Sequence, residues 1–352
     1  MPTFFRNANL ARHKLLVLIR SNPNFQHRLY FTACHQYAAQ QVTTREQTLK
    51  KYGLSDLNLI WPNSVDTSDS IDYIKKNPES IQQMYGKSDL SKLPIFQGGF
   101  INFGYWSNTV IDNKRITIDD RIASSKEMYR VMGNLTKIFK QDSLLEVGCG
   151  LGYGSTFLSQ HYSPKLVFGL DISAEQIARA KKYQASEIAS GKLRFTIGEA
   201  ESMPFTDSCF DSIVSIECAQ HFSSMRDFSK EACRILKPDG KLVMTSFFPT
   251  TQEGIDALTA IVPNYHIHGS RNTVSDVQDA LLNYMEDVRV SSIGENVWHG
   301  FSKWLDQIGY HHQWSKIWCA LYEKRLIDYV VYQATASKEK LDFREKINSH
   351  SC

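Results

Sequence analysis

The sequence predicts an α/β fold: a seven-stranded, mostly parallel sheet with helices on both faces. Two observations carry this. The apolar run Leu144, Leu145 and Val147 ends in a glycine turn at Gly148, Gly150 and Gly152, as a buried strand does when it enters a tight loop. Strand and helix patterns then alternate from residue 143 to 247, which implies right-handed crossovers between parallel strands.

Residues 1–70 read as a basic helical extension and linker. Residues 1–44 hold Arg6, Arg12, Lys14, Arg20 and Arg28 and no acid, with Leu10, Leu15, Val17 and Leu18 among them. Two readings stand. One is a basic arm over the core of a cytoplasmic protein. The other is a mitochondrial transit segment, whose signature is arginine-rich and acid-poor composition. Serine is also expected there, and the stretch has only Ser21. Trp61 to Ser70 is polar and turn-rich, as a linker is.

The main domain is placed at residues 71–336. Residues 71–96 carry short helical signals, Tyr85 among them. Ile122, Met128, Val131, Met132, Leu135, Ile138 and Phe139 recur at helical spacing, so a helix is predicted over 122–139. Strands follow at 144–147, 166–173, 193–197, 210–216 and after Gly240. Two stretches, 250–287 and 294–327, read as a helical cap. A sixth strand at 288–293 separates them and a seventh at 329–334 follows. In the second cap stretch Trp298, Phe301, Trp304 and Leu305 share one face; Trp314, Ile317, Trp318 and Leu321 share the next. Residues 337–352 read as a polar tail.

Composition narrows the function. The 352 residues are 42% hydrophobic and 22% charged, ordinary for a globular protein with a substantial core. A net charge of +3 gives no argument for nucleic acid. No apolar run reaches the ~18 residues of a membrane-spanning helix. The seven cysteines lack pair or ligand spacing, which favours reduced thiols and no metal site. No feature of the sequence fixes an oligomeric state.

The glycine turn says most about chemistry. Its spacing is G-x-G-x-G, not the G-x-G-x-x-G of dinucleotide folds, and the carboxylate Glu146 is expected inside the turn. A carboxylate there repels a pyrophosphate and suits an ammonium or sulfonium group, which disfavours a dehydrogenase. This resembles the first motif of class I S-adenosylmethionine-dependent methyltransferases, whose sheet is Rossmann-like. Further segments resemble that family in order. They are Leu166 to Ser173 with Asp171, Leu193 to Ala200 with Glu199 where the family has Asp, Ser202-Met203-Pro204-Phe205, Phe210 to Ile216, and Arg234 to Leu242 with Asp239 replacing a glycine. Asn102-Phe103-Gly104-Tyr105-Trp106 resembles the H-x-G-Y-W segment of sterol, tocopherol and phosphoethanolamine methyltransferases, with Asn102 in place of His.

The resemblance implies S-adenosyl-L-methionine as cofactor. Its contacts would be Tyr105, Glu146, Gly148, Cys149, Gly150, Gly152, Asp171, Ile172, Glu199, Ala200 and Glu217, with Asp171 on the ribose hydroxyls and Glu199 on the adenine amino group. His221 follows the fourth strand and can take a proton near neutral pH, so it is the expected general base. Glu217 either contacts the cofactor or orients His221. Cys218 reads as structural, not nucleophilic. The acceptor pocket is expected from Tyr85, Trp106, Gln220, His266, Trp298 and Trp314. The implied reaction is methyl transfer to a small, partly apolar metabolite, first on oxygen. The alternatives are nitrogen or carbon, or a non-catalytic partner that binds the cofactor.

Overall fold

The computed structural model describes residues 46–53, 81–86, 89–106, 115–262, 265, 269–309 and 312–343. The basic stretch 1–44, the linker at 61–70 and residues 344–352 lie outside these. The chain divides into two units, residues 1–56 and 57–352. In the first, residues 46–51 are helical. The second holds the sheet.

Helix α1 (Ile81–Gly86) is followed by a 3₁₀ turn at Leu90–Lys92 and an irregular segment to Trp106. Helix α2 (Ile118–Thr136) starts four residues before its predicted position, because Thr117 and Asp120 form a reciprocal capping box. It ends where Lys137 turns left-handed at φ 59°. Then β1 (Ser143–Val147), α3 (Tyr153–Tyr162), β2 (Leu166–Asp171), α4 (Ala174–Tyr183), β3 (Leu193–Ile197), β4 (Phe210–Ile216), α5 (Met225–Ile235) and β5 (Leu236–Pro249) follow. The cap helices are α6 (Gln252–Ile261), α7 (Val274–Leu282), α8 (Gly294–Gln307) and α9 (His312–Glu323), with β6 (Met285–Ser292) between α7 and α8 and β7 (Ile327–Ala336) last.

The strands stand in the order β3-β2-β1-β4-β5-β7-β6. All pairs are parallel except those of β7, which runs antiparallel to both β5 and β6. Strand order reverses between β1 and β4, and in such sheets ligands bind beyond the carboxyl ends at that switch. The core forms as the periodicity demands. Phe228, Ala232 and Ile235 of α5 meet Val277 and Leu281 of α7 over Leu242, Met244 and Tyr332 of the sheet. Both predicted cap faces are buried at Trp298, Phe301, Trp304 and Leu305, and at Ile317, Trp318 and Leu321. The side chain of Trp314 lies outside the described residues.

The polar tail needs correction at its start. Residues 338–343 are helical, and Leu341 is buried against the core. Lys338 Nζ donates to the Cys233 and Arg234 carbonyls at the end of α5, the latter at 3.0 Å. Apolar Leu341 beneath a capping lysine gives this segment a packing face that its polar composition hides.

Candidate active site

The glycine turn caps the carboxyl end of β1. Gly148, Gly150 and Gly152 all have positive φ, at 80°, 50° and 73°, where L side chains are strained. The turn is pinned to β2: the Gly148 and Cys149 amides donate to Leu170 O at 2.8 and 3.0 Å. Two of the glycines are also steric. A Cβ on Gly148 would lie 2.2 Å from Cys218 Sγ, and one on Gly152 2.3 Å from Phe195 Cζ. At Gly150 the nearest atom is Gln176 Nε2 at 3.9 Å, so that side of the turn has room for a ligand.

Glu146 departs from the expectation. It lies within β1, 1% exposed, and is spent on neighbours. Tyr129 OH donates to Oε1 at 2.8 Å, and Ser155 Oγ donates to Oε2. Burial pushes its carboxyl up to about 7, against the two hydroxyl donors. It therefore ties α2, β1 and α3 together under the turn. Cys149 is buried, and burial holds its thiol well above the usual range. Asp171 ends β2 with Oδ2 accepting from the Gly150 amide and Oδ1 from the Ser173 amide, each at 2.9 Å. Burial raises its pKa and these amides oppose the shift. Each oxygen keeps acceptor capacity for a hydroxyl. Ile172 is half-buried beside it. The Gly198 amide donates to Asp171 O at 3.0 Å and so brings the next turn alongside, where Glu199 is exposed and Ala200 buried.

Beyond β4 the chain makes a second knot. Glu217 has φ 52°, and its Oε1 accepts from the Phe103 amide at 2.5 Å and Tyr329 OH at 2.6 Å. Burial lifts its carboxyl to about 7, while these donors and the charge of Arg121 pull the other way. Its carboxylate is thus turned to Phe103 and Tyr329, and only its backbone carbonyl serves the His221 loop, accepting from Gln220 Nε2 at 3.0 Å. His221 closes a 3₁₀ turn, with Nε2 2.9 Å from Tyr85 OH and 3.1 Å from Gln220 Nε2. The Tyr85 and His221 rings meet edge-on at 5.6 Å. Two residues expected separately, one for the pocket and one as base, are therefore brought together. Helix α1 is held there by Arg179 of α4, which donates to the Tyr85 and Gly86 carbonyls at 3.2 and 2.7 Å.

Three expected pocket residues are committed to packing. Trp106 is 1% exposed, donates its indole N–H to Phe103 O at 2.9 Å and lies against Gly300. Trp298, also 1% exposed, stacks on Trp318 with planes 3° apart and packs against Phe103, Phe247 and Tyr329. Tryptophans at helical spacing meet the core first. Gln220 is 5% exposed with its amide engaged at both ends, because Ser246 Oγ donates to Oε1. Tyr105 is half-buried, its amide on Ser124 O at 2.9 Å. His266 lies outside the described residues.

The sequence reading missed Tyr129, Ser155, Tyr329 and Arg121. Arg121 is fully buried. It donates to Ile95 O, Ser125 Oγ and Asn102 O at 3.2, 2.5 and 2.5 Å and lies over the Trp106 and Phe301 rings. Burial lowers its pKa to about 10, against the charge of Glu217. Arg121 lies one residue before the predicted helix 122–139, so the apolar periodicity gave no signal for it.

Comparison with known proteins bears on this arrangement. Residues 145–244 match a family described as a methyltransferase domain. The chain is 28% identical over 153 residues to erythromycin 3''-O-methyltransferase of Saccharopolyspora erythraea, covering 44% of this chain and 47% of that protein. It is 26% identical over 175 residues to the O-methyltransferase cnsE of Penicillium expansum, covering 50% of this chain and 60% of that one. The chain thus spans about half the length of the relatives it matches. Among solved structures, geranyl diphosphate C-methyltransferase of Streptomyces coelicolor shares the fold, with a TM-score of 0.61 at 11% identity over 75% of this chain and 98% of that one.

Proposed function

Since residues 145–244 match a family described as a methyltransferase domain, we propose that this chain moves a methyl group from S-adenosyl-L-methionine to an oxygen of a small, partly apolar metabolite, with His221 as general base. The residues present fit that cofactor. Gly150 leaves open space on the turn, Asp171 keeps acceptor capacity for a ribose, and the exposed Glu199 stands one turn away. When bound, S-adenosyl-L-methionine supplies the electrophilic methyl group. The protein's own part is to align the acceptor, exclude water and take a proton. Alignment is worth several powers of ten, and a general base about 10² to 10⁴.

The observation that carries the reading is the hydroxyl of Tyr85 at 2.9 Å from His221 Nε2, beyond the carboxyl end of β4. A hydroxyl seated on that nitrogen supports it as the place where an acceptor would lose its proton. The relatives named as O-methyltransferases support oxygen over nitrogen or carbon.

The test is turnover of His221→Ala and His221→Gln on acceptors found by screening metabolite extracts with labelled methyl donor. Both variants should lose about 10²-fold or more while cofactor affinity stays level. Full turnover in His221→Gln would remove the base and leave alignment as the source of rate. Cofactor binding without transfer to any acceptor would favour the non-catalytic partner instead.

A further inference from the structure

The contacts at His221 Nε2 constrain which of the ring nitrogens carries the proton. Gln220 Nε2 is 3.0 Å from the Glu217 carbonyl, and a carbonyl only accepts. The amide must therefore present its NH₂ there; the flipped form would set two oxygens against each other. Ser246 Oγ, donating to Oε1, anchors the opposite end. The same NH₂ is 3.1 Å from His221 Nε2. An amide nitrogen does not accept, so Nε2 must.

We propose that Gln220 is a positioning residue that holds His221 in the tautomer with its proton on Nδ1 and Nε2 unprotonated. This rests on reading His221 as the base. A proton arriving on Nε2 would face the Gln220 N–H, so the brace also favours the neutral ring. Tyr85 OH, from α1, then donates into the Nε2 lone pair. The other titratable groups of this loop and of the turn beside it point elsewhere. Glu217 is taken by Phe103 and Tyr329, Glu201 by the Ser223 and Ser224 amides, and Cys218 lies against Gly148.

The test is nitrogen-15 NMR of the histidine rings in the full chain, with His221→Ala used to assign the His221 signals. In the wild type, Nε2 should give the shift of an unprotonated ring nitrogen and Nδ1 that of a protonated one. Gln220→Glu puts an acceptor where the donor was. It should transfer the proton to Nε2 and raise the ring's titration midpoint by about one pH unit or more, a tenfold change in proton affinity. Gln220→Met should leave both tautomers populated. A wild-type ring protonated on Nε2 overturns the proposal even if no Gln220 variant folds, and so does an unmoved midpoint in folded Gln220→Glu. The base reading fails separately: His221→Ala with full turnover removes it, whatever tautomer the spectra report.

Discussion

At the scale of single residues, the two carboxylates buried on neutral donors have a measurable consequence. Glu146 titrates at about 7 against an ordinary 4.5, so the folded chain holds its proton where the unfolded chain has lost it. A raised carboxyl stabilises the fold fully below about 4.5, and that contribution is lost as pH climbs through about 7. Glu146→Gln keeps an acceptor and carries no charge. Its melting temperature should fall less between pH 5 and pH 8 than that of the wild type; parallel falls would show that Glu146 carries no such linkage. The turn glycines separate in the same way. Gly148→Ala drives a Cβ into Cys218 and should lower both stability and cofactor affinity. Gly150→Ala meets nothing nearer than 3.9 Å, so it should cost about 1–2 kcal/mol of backbone strain while removing most cofactor affinity. Melting and calorimetry with S-adenosyl-L-methionine distinguish the two, and equal affinity in Gly150→Ala would move the cofactor off this turn.

At the scale of elements, α1 depends on α4. Arg179 caps the last carbonyls of α1 and thereby sets Tyr85 over His221. Arg179→Ala should reduce kcat/KM for the acceptor about tenfold, the worth of one net hydrogen bond, with cofactor affinity within twofold. A loss confined to cofactor binding would place Arg179 on the other half of the site. Much of this scale was legible in the sequence. The strands and the turn are local patterns of apolar runs and glycines, whereas the start of α2, set by the Thr117 and Asp120 capping box, was placed four residues late because the apolar periodicity begins only at Ile122. The antiparallel course of β7 was not legible, because a run of apolar residues carries no direction. Nor was the bracing role of Glu146, since its partners Tyr129 and Ser155 lie on two other elements and belong to no motif. Trp106 and Trp298 misled for a related reason: composition identifies an aromatic cap but not which faces of it are filled by Gly300 and Trp318.

At the scale of the whole molecule, the helices are short of a membrane span: among the described residues none is long and apolar enough to cross one. The acid-free stretch 1–44 gives the remaining prediction. As a transit segment, its deletion should leave activity and melting temperature nearly unchanged and relocate the protein in the cell. As an arm over the core, its deletion should lower the melting temperature and leave location alone. Thermal melts and imaging of the truncated chain decide between them. The strand order has a consequence of its own. The groups proposed to grip the cofactor, Gly150, Asp171 and Glu199, fall in one uninterrupted run from the end of β1 to the turn after β3. Those proposed to face the acceptor, Tyr85 and His221, come from outside that run, His221 from beyond β4 across the reversal. The two tasks are therefore inherited by different stretches of chain. Substitutions that retune what is methylated can accumulate on one side of the reversal while the donor's grip passes unaltered on the other, as a tool changes its bit and keeps its handle.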